Sequence, residues 1–154
     1  MAYAEGTSVP VEKSLGEIVA LVKKHGAQRV AQAEDVGAIS VWFFLNDRML
    51  RFRVKLPTME EMPTRDGRNS ILSDKQRNDR AAAACRQKAR ALLLVIKAKL
   101  ESVESNVETF DEAFLPNIVM SDGMTVMERI REPLALEYQT GKAFPMMLEG
   151  PRNG

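Results

Sequence analysis

Ser40-Val-Trp-Phe-Phe-Leu45 and Arg48-Met-Leu-Arg-Phe-Arg-Val-Lys-Leu56, separated only by Asn46-Asp47, read as a β-hairpin with a two-residue loop. That loop length sets Leu45 opposite Arg48. Counting outward then places Phe44 opposite Met49, Phe43 opposite Leu50, Trp42 opposite Arg51, Val41 opposite Phe52 and Ser40 opposite Arg53. Two unlike faces result. One carries Val41, Phe43, Leu50, Phe52, Val54 and Leu56 and is apolar; the other carries Trp42, Phe44, Met49, Arg51, Arg53 and Lys55. Rings that stack on unpaired bases, beside cations that meet phosphates, suit single-stranded nucleic acid.

Working outward, four Ser/Thr-x-x-Glu/Gln patterns mark helix starts: Ser14/Glu17, Ser73/Gln76, Thr109/Glu112 and Thr125/Glu128. The first predicts a helix over 15–25 with Leu15, Ile18, Val19 and Val22 buried and Gly26 as its stop. A strand over 29–33, turning through Glu34-Asp35, completes a three-stranded antiparallel meander. Residues 57–73, with Pro57, Pro63, Gly67 and Asn69, read as a long mobile loop. A dominant helix over 74–106 follows. Cys85, Ala89, Leu92, Ile96, Leu100 and Val103 recur on it at spacings of three or four, a stripe that should cover the apolar side of the sheet. Shorter helices over 110–119 and 126–140 complete the chain, with Pro133 expected to bend or split the second.

The expected fold is therefore α+β: a three-stranded antiparallel meander packed on one long helix, with an N-terminal helix and two shorter C-terminal helices. Residues 1–12 read as an extended arm, 13–141 as a single domain and 142–154 as an irregular, apolar tail.

At 154 residues, with 45% hydrophobic and 28% charged side chains, the chain has the composition of one soluble globular domain. The apolar run over 89–100 is broken by Arg90, Lys97 and Lys99, so no membrane span is expected. The N-terminus lacks a secretory pattern, and the single cysteine, Cys85, cannot form an internal disulfide; the expected setting is the cytoplasm. The net charge of +1 hides an asymmetry. Residues 1–47 hold 4 basic and 6 acidic side chains (−2), residues 48–99 hold 14 and 5 (+9), and residues 100–154 hold 4 and 10 (−6). Such a basic block either binds a polyanion or pairs with the acidic C-terminal third.

Enzymatic constellations are weak. One histidine and one cysteine make a Cys-His nucleophilic pair or a zinc site improbable. His25 fits a helix C-terminus and Cys85 a core stripe. Single glycines at Gly6 and Gly67 do not build a phosphate-binding loop. Glu60, Glu61, Asp66, Asp74 and Asp79 lack a recognisable ligand spacing, which leaves a Mg²⁺-dependent nuclease as the weakest of three readings. No catalytic residue, metal or cofactor is assigned. On the long helix, Arg86, Arg90 and Lys97 form a stripe that either lines a phosphate track or lays its stems along the helix. For Trp42, Phe44 and Met49 the alternative to exposure is burial under the C-terminal helices or a subunit partner.

Three blocks, Tyr3-Ala-Glu-Gly-Thr-Ser-Val-Pro-Val-Glu-Lys-Ser14, Arg90-Ala-Leu-Leu-Leu-Val-Ile-Lys-Ala-Lys-Leu-Glu-Ser-Val-Glu104 and Thr109-Phe-Asp-Glu-Ala-Phe-Leu115, resemble the signature segments of small phage and prophage proteins of unassigned function. The resemblance implies an accessory role inside a host cell, near recombination or replication functions, and brings no catalytic residues. The leading expectation is a non-enzymatic phage accessory protein that binds nucleic acid through Trp42, Phe44, Arg51, Arg53 and Lys55, assisted by Arg86, Arg90 and Lys97. The second is an interaction module that engages a host or phage protein through the same face. A homo-oligomer stays open in either.

Overall fold

Asn46 and Asp47 make the turn that the hairpin needs: both lie at positive φ, 51° and 58°, the geometry whose twist matches paired strands. Around this turn, a computed structural model describes residues 4–145 as α1 (Val11–Lys24), β1 (Gln28–Asp35), β2 (Ala38–Leu45), β3 (Arg48–Lys55), α2 (Asp74–Glu104), α3 (Phe110–Phe114) and α4 (Val126–Thr140). The strands form one antiparallel sheet in the order β1-β2-β3. The β2–β3 register is the expected one at every position from Leu45↔Arg48 to Ser40↔Arg53, and it continues to Ala38↔Lys55.

The apolar face of the sheet meets the helices. Val41, Phe43, Leu50 and Phe52 share a continuous core with Leu15, Ile18 and Val22 of α1 and with Ala89, Leu92, Leu93, Ile96 and Leu100 of α2. Phe52 stacks on Phe43 at 6.0 Å and meets Phe114 of α3 edge-on at 6.3 Å. Phe43, Phe114, Ile18, Ile39, Leu50 and Ile96 are fully enclosed. Each contributes about 1.5–3 kcal/mol by burial, far more than a surface ion pair. Arg90 of α2 pairs with Glu17 of α1, and His25 at the end of α1 lies 3.0 Å from Glu104 at the end of α2, so the two helices run in the same direction. His25 does close α1, with its Nδ1 2.9 Å from the Leu21 carbonyl.

Several boundaries differ from the sequence reading, each for a local reason. The chain is helical from Val11, not extended to residue 12, because Pro10 takes the N-cap position and its carbonyl accepts from the amides of Lys13 and Ser14. Ser14 therefore sits inside the helix and is buried, and its hydroxyl has no hydrogen-bond partner among the described residues. Val19 is only half-buried. The first β-turn lies at Val36-Gly37 and not at Glu34-Asp35, since Gly37 supplies the positive φ of 82° while Glu34 and Asp35 stay paired with Ile39 and Ala38. Residues 57–73 form a loop with local contacts: a 3₁₀ turn spans Met59–Glu61, Arg65 bridges Ile71, and the Asp66 carboxylate accepts from the amides of Arg68 and Ser70.

The long helix stops at Glu104, two residues early, and Cys85 on its stripe is half-buried, with its thiol donating to the Pro57 carbonyl. Burial, and then the Glu34 charge, push that thiol above its ordinary pKa. α3 ends at Phe114, where a 3₁₀ turn containing Pro116 takes over. α4 has its expected bounds, but it runs on through Pro133 without splitting. The capping boxes at Ser73/Gln76 and Thr109/Glu112 are complete. Of the tail, residues 146–154 lie outside the described residues, as do residues 1–3 of the arm. Among the described residues no helix is long and apolar enough to cross a membrane.

Candidate nucleic-acid interface

The outer face of the sheet is built by strand alternation alone. Trp42 and Phe44 of β2 and Met49, Arg51, Arg53 and Lys55 of β3 share it, and β1 adds Ala31 and Ala33 beside Trp42 and Ser40. Both helices of the core lie on the opposite face. Trp42 is half-buried, flanked by Ala31 on one side and Arg51 on the other. Its indole N–H meets no acceptor among the described residues and is not sealed from solvent. Ala31, its β1 partner, is exposed. Phe44 is also half-buried, and the Arg29 guanidinium sits 5.4 Å from its ring centroid, a cation–π contact. Arg29 reaches this place from an irregularity in β1: it has φ 53°, and the β1–β2 register shifts between Gln28 and Ala31.

At the β3 edge the face is partly closed. Ile118 bridges Leu50, the Val119 amide donates to the Met49 carbonyl, and Asn117 donates to the Arg51 carbonyl. Residues 118–126 thus continue the sheet briefly and launch α4, whose N-cap is Thr125. Thr125 accepts from the Glu128 amide, but the Glu128 carboxylate does not return to complete a capping box. It pairs with Arg51 instead, and Arg51 also donates to the Gly123 carbonyl at 3.0 Å. The Arg51 hydrogen bond is the main cause that holds the Glu128 carboxyl below its ordinary range. Arg51 is therefore a charge already matched within the fold.

Arg53 and Lys55 differ from Arg51. Both are exposed, and neither makes an ion pair among the described residues. They stand opposite Ser40 and Ala38, small residues at the centre of the sheet that are 7% and 2% exposed. The face is thus divided: aromatic toward the hairpin turn, cationic toward its open end.

The long-helix cations do not join this surface. Arg86 donates to the Thr7 carbonyl and Arg90 pairs with Glu17, so both serve the contact between α2 and the N-terminal region. Lys97 is exposed on the same helix, which packs on the far side of the sheet from Trp42. A single groove holding all eight predicted residues is therefore not what the fold assembles.

Part of the basic middle third pairs with the acidic C-terminal third, Arg48 with Asp111 and Arg51 with Glu128, while Arg53, Lys55 and Lys97 make no ion pair among the described residues. The acidic side chains named for a nuclease are dispersed: among the described residues no three His, Cys, Asp or Glu side chains come together as a metal-binding group. One contributor escaped the sequence reading. Arg131, three residues after Glu128 on α4, lines a cleft together with Arg51 and Arg53. Its only sequence signal is helical spacing within the acidic third, which points away from an anion site.

Comparison with protein-family models, with curated proteins and with solved structures finds no match to this chain.

Proposed function

We propose that this protein is a non-enzymatic binder of single-stranded nucleic acid, which engages bases on Trp42 and Phe44 and phosphates on Arg53 and Lys55. The observation that carries the reading is Trp42: an aromatic side chain on the sheet face opposite α1 and α2, paired with an alanine of β1, with its indole N–H meeting no acceptor among the described residues. A duplex buries the faces of its bases, so a stacking platform of this kind favours unpaired strands. The accessory role in phage recombination or replication, inside a host cell, belongs to the same proposal and follows from the sequence resemblance.

Fluorescence anisotropy with labelled single- and double-stranded oligonucleotides over a salt series tests it. Single strands are expected to bind more tightly, with log K falling by about 0.7 per decade of salt for each phosphate neutralised. Trp42→Ala should weaken binding roughly 5- to 150-fold, the worth of one stacked base. Salt-independent or absent binding would reject the reading.

A further inference from the structure

The cleft between β3 and α4 has a charge imbalance that the pairing of Arg51 makes visible. It is lined by Arg51, Arg53, Asn117, Thr125, Glu128 and Arg131, among others, and encloses about 230 Å³. Glu128 is the single acidic residue in that lining and is taken by Arg51. Arg53 and Arg131, one from the strand and one from the helix, are left without a counter-charge among the described residues. Both are exposed, and they face a common space from two elements that the Arg51–Glu128 pair ties together.

We infer that this cleft is a phosphate subsite, with Arg53 and Arg131 as its two guanidinium clamps. Planar guanidinium groups match the oxygen geometry of phosphate and can each donate two parallel hydrogen bonds. The volume is below the roughly 300–1,000 Å³ of pockets that hold whole drug-sized ligands, and it suits one small anionic group. The first turn of α4, which contributes Thr125 and Glu128 to the lining, adds the positive end of a helix dipole. Arg51 acts here as a positioning residue: it spends its donors on Glu128 and Gly123, and so holds α4 at the distance from β3 that leaves the cleft open. The inference rests on the nucleic-acid reading for the source of the phosphate, a backbone phosphodiester. Free inorganic phosphate offers the same chemistry.

The test is Arg131→Ala in the full chain, since Arg131 is exposed; a thermal melt checks that the fold is kept. Binding of an unphosphorylated 12-nucleotide strand should weaken about three- to tenfold, and the salt slope should fall by about 0.7, the mark of one lost phosphate contact. Arg131→Lys should restore the slope in large part. If the wild-type protein binds the strand and Arg131→Ala changes neither affinity nor slope, the subsite is refuted and the function stands. If the wild type binds no strand, the functional reading fails, and titration with inorganic phosphate at constant ionic strength decides the subsite alone. Movement of the Arg53 and Arg131 side-chain N–H resonances, absent in Arg131→Ala, then supports it, and no movement overturns it.

Discussion

Arg51 shows how a single partner changes what a residue can do. On the hairpin it is indistinguishable from Arg53, two positions on and on the same face; in the fold it is matched by Glu128, 77 residues later in the chain. The strand pattern predicts the face but is blind to that partner, because nothing local marks a contact across such a separation. The pairing has a pH consequence. The Glu128 carboxyl is held low mainly by the Arg51 hydrogen bond, so its contribution to stability is present above the ordinary carboxylate pKa of about 4.3. It is lost as pH falls through the depressed value. Thermal melts from pH 7 to pH 3 should show Glu128→Gln losing less stability across the acidic limb than the wild type; an identical slope would mean the pair contributes nothing. The same substitution removes the only negative charge lining the cleft. Because it also frees Arg51 from α4, it should weaken oligonucleotide binding a few-fold at neutral pH, and tighter binding would show that the cleft does not need the Arg51 anchor.

At the scale of elements, the hairpin was readable because a two-residue loop leaves one register, and a slip of one residue would turn Phe43 and Phe52 to solvent. The helix caps were readable where the side chains are free to cap, as at Ser73 and Thr109. They were misleading at Ser14, where Pro10 already starts the helix. The irregularity that lifts Arg29 over Phe44 had no signal, since no glycine marks it. Removing the Thr125 cap tests whether α4 is secured from its N-terminus: Thr125→Ala should cost about 1 kcal/mol in urea unfolding. Because Thr125 lines the cleft, the same variant should also loosen the Arg51–Glu128 pair. A cost near zero would mean that Glu128 and the residues around Val126 hold α4 without the cap. Asp47→Gly should be neutral or raise the melting temperature, because Asp47 already adopts a φ of 58° that glycine enters without steric cost.

Over the whole molecule, the two faces of one sheet are put to different uses. The inner face, closed by α1, α2 and α3 around Phe43, Phe52 and Phe114, supplies the stability. Phe43→Ala should cost about 3–5 kcal/mol, and a cost below 1 kcal/mol would contradict that packing. The outer face keeps the exposed Arg53 and Lys55 away from that core, so these two can be substituted with little effect on folding, whereas the half-buried Trp42 also contributes packing. Trp42 is the single tryptophan of the chain, and its emission therefore reports on the proposed platform without a label. Titrating the protein with a single-stranded oligonucleotide should quench that emission saturably, with added salt reversing the quench and Arg53→Ala/Lys55→Ala shifting the curve to higher concentration. Emission that stays unchanged while the oligonucleotide binds, or no binding at all, would contradict the account.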